Sequence, residues 1–221
     1  MTSMKRNLKT IALGAAIGVD TLLHAGKAEA RDMQTIVVAG GCFWCVESDF
    51  EKVRGVSEVT SGYTGGTTTN PTYRQVTNGS TGHYEAVEIR YDRDQVSERQ
   101  IYDLFFRSVD PTGAGGQFCD RGDSYRTAIF VDTTSQEQAA RAALAAAQSE
   151  LGQRIVTPIL AAAPFYDAES YHQNFYTGSS RIVTRGGIKT QAEAYAFYRE
   201  GCERDARVEQ LWGSDAPFIN H

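Results

Sequence analysis

Three features of the chain predict an α+β architecture, with helices laid over one face of a mostly antiparallel or mixed sheet. The elements run β-α-β-β-α-β-α-β, which mixes hairpin-like and crossover connections instead of alternating regularly. A β-branched run, TIVV (35–38), opens the series, and EAVEIRY (85–91), which alternates as a half-buried strand, sits at its middle. The helical segments carry a three-to-four spacing or dense alanine, as in SQEQAARAALAAAQSEL (135–151).

Taken in order, residues 34–38 read as a buried strand, and Gly40 and Gly41 mark a sharp turn. A helix follows to about Arg54, with Phe43, Val46, Phe50 and Val53 on one face. SEVTSGY (57–63) is a second strand, and a glycine-rich loop spans 64–82. After the strand 85–91, Ser97 supplies an N-cap for SERQIYDLFFRSV. A second glycine-rich loop, 111–124, leads into the strand SYRTAIFVD. Both loops exceed the usual connection of about 4–6 residues, a length that marks functional loops. IVTPILAA (155–162) reads as an edge strand, since Pro158 cannot donate to a ladder. ESYHQNFY (169–176) reads as a short helix. Thr190 and Glu193 form a capping box for QAEAYAFYRE, which Gly201 stops.

The chain has 221 residues, and its first thirty do not read as part of this fold. Lys5, Arg6 and Lys9 precede the apolar TIALGAAIGVDTLLHA, and Ala28-Glu29-Ala30 gives a small-x-small exit. That order describes a signal peptide over 1–30, a mature domain over 31–221, and a periplasmic or secreted protein, with a cytoplasmic one as the alternative. The apolar run is shorter than the roughly 20 residues of a spanning helix, so no membrane span is expected. The leader carries four basic and two acidic side chains, so removing it takes the net charge from −5 to −7. Such an acidic chain without a basic block is a poor partner for nucleic acid. Four cysteines in an oxidising compartment could form two structural disulfides, but one domain of this size does not need such staples, which leaves room for a working pair.

The sharpest motif is GGCFWCVES (40–48). A cysteine at the first turn of a helix faces unpaired N–H groups and the positive end of the helix dipole. This predicts a Cys42 thiol below its usual pKa of about 8.5. Phe43 and Trp44, being adjacent, cannot both point inward, so one ring is expected to stand beside the sulfur. The alternation of strand 85–91 puts Glu85 on the apolar face with Val87 and Ile89, where burial raises a carboxyl pKa and keeps it protonated. A thiolate, an aromatic wall and a neutral acid suit a small apolar substrate group. Zinc is disfavoured, because neither Cys119 nor Cys202 opens a second C-x-x-C.

GCFW (41–44), SGYTGG (61–66), NPTYRQV (70–76), TGHYEAV (81–87), Asp120, YRTAIF (125–130) and PFYDAESYHQ (164–173) together make the sequence resemble the peptide-methionine (S)-S-oxide reductases. The resemblance spans most of 35–175, and the spacing between blocks fits as well. It implies a two-layer α/β sandwich with a ferredoxin-like core. It also implies thiol-dependent reduction of the S-epimer of methionine sulfoxide, free or in proteins. Cys42 would be the nucleophile and Glu85 the acid; Tyr73 and Tyr125 would hydrogen-bond the sulfoxide oxygen, and Asp120 would help hold the site. Phe43 and Trp44 would enclose the S-methyl group. No metal or organic cofactor is implied, because thioredoxin or a thioredoxin-like reductant supplies the electrons.

The glycine-rich stretch TGSSRIVTRGG (177–187), where many such proteins carry a second cysteine, has none. Cys45, one helical turn from Cys42, is the first choice to resolve a sulfenic acid there. Cys202, in a segment expected to be a mobile tail, and Cys119, in the long loop, are the alternatives. The same C-x-x-C could instead serve a general thiol–disulfide oxidoreductase, and four cysteines could staple a non-enzymatic module. His83 and His172 are read as loop-orienting or packing residues, and Glu47 as a solvated or capping carboxylate.

Overall fold

The computed structural model describes residues 32–219; the expected leader lies outside the described residues. Strands β1 (Met33–Gly40), β2 (Val56–Thr64), β3 (Tyr84–Asp92) and β6 (Thr127–Val131) alternate with helices α1 (Phe43–Phe50) and α3 (Glu98–Ser108) as β1-α1-β2-β3-α3-β6. They lie side by side as β6-β1-β3-β2, and every contact among them is antiparallel. This is the ferredoxin-like arrangement that the resemblance implies. Two edges extend it. Strand β7 (Ile159–Ala161) joins β6 in parallel after helix α4 (Thr134–Leu151), and β8 (Tyr166–Asp167) joins β2 antiparallel. As expected of a Pro158-containing segment, β7 is an edge strand, three residues long and starting just after the proline.

One main core lies between the helices and one face of the sheet. Ile36 and Val38 of β1 and Val87 and Ile89 of β3 meet Phe43, Val46 and Phe50 of α1 and Ile101, Phe105 and Phe106 of α3 there. The opposite face carries a smaller cluster around Ala39, Tyr84, Ala86, Ala128 and Phe130. The alternation of β3 sets which residues go where. Val87 and Ile89 face the helices, and Glu85 goes with them, only 1% exposed.

The two long loops are built. The first contains helix α2 (Tyr73–Thr77), whose N-cap Thr72 and Gln75 make a reciprocal capping box. The second contains the short pair β4 (Gly116–Gln117) and β5 (Asp120–Arg121), then a 3-10 turn over Asp123–Tyr125. Gly41 ties that second loop to the first helix. Its φ is +80°, and a Cβ there would stand 2.5 Å from Gln117 Cβ. The Gly-Gly turn therefore lets β4 approach the backbone just ahead of Cys42.

Two expectations are corrected after residue 168. ESYHQNFY is no α-helix: it is a run of turns ending in a 3-10 turn over Phe175–Thr177, with Asn174 left-handed at φ 52°. Its polar groups are drawn elsewhere. Gln173 bonds both the N–H and the carbonyl of Ser61 in β2 and the carbonyl of Ala168, which holds the segment across the sheet edge. The expected mobile tail is also ordered. A hairpin, β9 (Arg181–Thr184) and β10 (Gly187–Thr190), precedes α5 (Gln191–Gly201), whose Thr190–Glu193 capping box forms as predicted. Helix α6 (Arg204–Trp212) then buries Arg204, Val208 and Trp212. Arg199 of α5 pairs with buried Asp49 of α1 at 2.8 Å and with Asp205 at 2.7 Å. Among the described residues no helix is long and apolar enough to cross a membrane.

Candidate active site

A cavity of about 290 Å³ opens at the start of α1, lined by Cys42, Phe43, Trp44, Tyr73, Glu85, Asp120 and Tyr125. All seven residues assigned to chemistry or substrate contact thus meet in one place. They arrive from four directions: the β1–α1 turn, α2 in the first loop, β3 in the sheet, and the β5–turn segment of the second loop. Cys45, Cys119 and Cys202 line the same cavity.

Glu85 reaches α1 from the sheet. Its Oε2 accepts the Phe43 N–H at 3.1 Å, and its Oε1 is buried without a hydrogen bond of normal length. Burial raises the carboxyl to about 8, outweighing the Phe43 bond and the nearby Tyr125 phenol. A group placed this way is a neutral acid at pH 7, as its position in β3 predicts. Tyr73 and Tyr125 face one another across the cavity and share a hydrogen bond, and burial raises both phenols, so both stay protonated. Burial likewise raises Asp120, against the pull of Arg204.

Phe43 and Trp44 divide as their adjacency requires. Phe43 is 1% exposed and packs on Tyr73 (6.2 Å between centroids) and His172 (5.0 Å). Trp44 is half-buried, stacks on Phe175 at 3.7 Å and donates its indole N–H to His172 Nδ1 at 3.1 Å. His172 therefore packs and orients, and burial lowers it to about 4, so it is neutral. His83 holds a loop: its Nδ1 accepts the Gly66 N–H, and its Nε2 lies 2.8 Å from the Thr68 carbonyl. Glu169 accepts the Tyr73 N–H and the Tyr63 hydroxyl and so seats α2.

The electrostatics of the cysteines differ from expectation. Cys42 caps α1 without any side-chain bond to the helix, and the first free N–H, that of Phe43, is given to Glu85. The Cys42 thiol lies well above the ordinary range, chiefly through its hydrogen bond to Cys45, then through burial, with the neighbouring acids Glu85 and Asp120 adding less. Cys45 is lowered by accepting that bond, and Arg204 and Arg199 add to this against the cost of burial. Of the two thiols, Cys45 is thus the lowered one and Cys42 the raised one. Glu47 is corrected too. It is fully buried, accepts Ser61 Oγ and the Asn174 N–H at 3.1 and 2.8 Å, and is raised by burial to about 7.

Cys119 and Cys202 are joined as a disulfide, and Cys42 and Cys45 are free. The disulfide bonds the β4–β5 turn to the end of α5, so a stapling role for all four cysteines does not fit. Cys119, Asp120 and Cys202 place ligand atoms within 4.8 Å of one another, but the two sulfurs of that group are spent on each other. The residues missed from sequence are Arg199 and Arg204. They lie in the supposed tail, and only the folding of α5 and α6 brings them under the cavity.

A family model described as peptide methionine sulfoxide reductase matches residues 34–204. The chain is 46% identical over 189 residues to a peptide methionine sulfoxide reductase MsrA 2 of Rhizobium meliloti, covering 86% of this chain and 88% of that one. It is 42% identical over 188 residues to a peptide methionine sulfoxide reductase MsrA of Bacillus subtilis, covering 84% and 98%. Among solved structures it is similar to methionine sulfoxide reductase A of Corynebacterium diphtheriae. That match has a TM-score of 0.64 and 32% identity, over 71% of this chain and 83% of that one.

Proposed function

The chain belongs to the peptide methionine sulfoxide reductase family, and from that premise we propose how its own residues reduce the S-epimer of methionine sulfoxide, free or in proteins. The observation that carries the reading is the neutral Glu85 beside Cys42 in a cavity walled by Phe43 and Trp44. A sulfoxide sulfur is a weak electrophile until its oxygen takes up a proton, so an acid and a nucleophile must act together.

The S-methyl group lies against Phe43 and Trp44, and the oxygen points to Glu85, Tyr73 and Tyr125. Cys45, whose thiol is lowered, takes the Cys42 proton when it is ionised, which frees the Cys42 sulfur to attack. Glu85 supplies the proton that the oxygen needs, and Asp120 helps hold the polar end of the site. The S–O bond breaks and the oxygen passes to Cys42; methionine leaves, and Cys42 becomes a sulfenic acid. Cys45 then attacks the Cys42 sulfur, water departs and a Cys42–Cys45 disulfide remains. Two factors favour Cys45 as the resolving residue over Cys202 and Cys119. It hydrogen-bonds Cys42 directly, and the other two are already bonded to each other. Thioredoxin or a thioredoxin-like dithiol returns the pair to thiols. No step calls for a metal or an organic cofactor, since thiols carry the electrons.

The test is stoichiometric. Fully reduced protein should convert one equivalent of a peptide S-sulfoxide to methionine and lose two thiols. No methionine from roughly pH 6 to 9 would overturn the assignment. The charged start, apolar run and Ala28-Glu29-Ala30 exit also support export, with 31–221 as the mature domain, and thus repair of oxidised methionine in periplasmic or secreted proteins. An N-terminus at Arg31 on protein from the periplasm or medium is the expected result. An intact Met1 on cytosolic protein would contradict it.

A further inference from the structure

The hairpin β9–β10 is unlike the rest of the surface. Alternation turns Ile182 and Thr184 inward and leaves Arg181 and Val183 outward, and Val183 pairs across the hairpin with Ile188. Val183 is 83% exposed and Ile188 68%, the two most exposed large apolar side chains among the described residues. A directly opposed β-branched pair on an exposed strand normally packs against something. Among the described residues, nothing covers it.

The next residue in the turn, Arg185, lines the active-site cavity. Of the arginines there, Arg199 is committed to Asp49 and Asp205, and Arg204 to the carbonyls of Gly40 and Ser108. Arg185 is exposed and, among the described residues, makes no hydrogen bond or ion pair. A free cation in the cavity wall therefore stands at the turn of the hairpin that carries the apolar pair, two residues from Val183 and three from Ile188.

We propose that this hairpin is a docking surface for the stretch of oxidised protein that carries the sulfoxide. Arg185 takes a carboxylate side chain beside the sulfoxide, and Val183 with Ile188 takes an apolar side chain about two residues further along. The hairpin thus selects acidic, apolar-flanked sites. The inference rests on the sulfoxide reductase reading above, and a minimal substrate separates the two.

Three capped peptides of equal length, each with one methionine S-sulfoxide, provide the test, with a small dithiol as reductant. One carries Glu beside the sulfoxide and Leu two residues beyond; one has Lys for that Glu; one has Ser for that Leu. The native protein should show a KM about three- to fivefold lower for the Glu/Leu peptide than for the Lys peptide, the scale of an exposed ion pair. Arg185→Glu should reverse that order. Val183→Ser with Ile188→Ser should raise KM for the Glu/Leu peptide and not for the Ser peptide. That double variant should leave kcat, and turnover of N-acetylmethionine S-sulfoxide amide, unchanged. Equal KM values across the peptides would overturn the proposal while the minimal substrate still reports the reaction. So would a double variant that only raises KM for a protein dithiol reductant, or that changes oligomeric mass in light scattering, since the hairpin would then serve another partner.

Discussion

The Phe43 N–H donates to Glu85 Oε2 at 3.1 Å, which links the first residue of α1 to a buried carboxyl 42 positions away. This bond occupies the helix-end donor nearest Cys42 and fixes the acid against the turn that bears the sulfur. Glu85→Gln keeps an acceptor for Phe43 but carries no acidic proton. Methionine release in a single turnover should slow by about 10²- to 10⁴-fold, with the free thiols of Cys42 and Cys45 still present on titration. A rate within a few-fold of native would remove Glu85 from the acid role.

The raised carboxyls make activity and stability fall in the same direction. Burial lifts Glu85 to about 8 and Glu47 to about 7, each from an ordinary value near 4.5. A pKa raised on folding contributes stability that is present at low pH and lost as pH rises through the folded value. The reduction step should hold steady below about pH 7 and decline above about 8. Melting temperature should drop between about pH 5 and 8, and Glu47→Gln should flatten part of that drop. A melting temperature that rises across this window in the native protein relative to Glu47→Gln would contradict the assignment.

The Cys45 thiol is lowered by its bond to Cys42 and by the nearby guanidinium groups of Arg204 and Arg199, against the cost of burial. Thiolate absorbance should therefore titrate below the ordinary thiol range in Cys42→Ser, whose hydroxyl can still donate, and lose that low transition in Cys45→Ser. The reverse pattern would make Cys42 the lowered thiol.

Asp49 and Arg199 form an ion pair with side chains 1% and 7% exposed, joining α1 to α5 beneath the cavity. Asp49→Asn leaves a buried guanidinium poorly compensated. It should cost on the order of 3–5 kcal/mol in chemical denaturation. A loss below about 1 kcal/mol, the range of a surface pair, would mean that α5 and α6 are not anchored there.

Where neighbours in sequence decide a feature, it was legible. The period-two pattern of β3 gave both the strand and the burial of Glu85, and the Thr190–Glu193 spacing gave the start of α5. The Phe43–Trp44 adjacency gave one buried ring and one at the wall. Features set by distant partners were not legible. Nothing local to Cys42 shows that its helix-end donor is taken by β3 or that its proton is shared with Cys45. ESYHQNFY has a helical composition, yet Gln173 and Asn174 are bound to β2 and to Glu47 of α1. In α6 the buried face is only Arg204, Val208 and Trp212, and a buried arginine is invisible to a pattern of apolar residues.

The most direct test of the sulfur chemistry is intact-mass and peptide mapping of Cys45→Ser after one equivalent of a peptide S-sulfoxide. The account predicts one methionine released per chain and one oxygen gained on Cys42, trapped there as a sulfenic acid, with Cys42→Ser inert. Methionine formed by Cys42→Ser, or oxygen recovered on another residue, would contradict it.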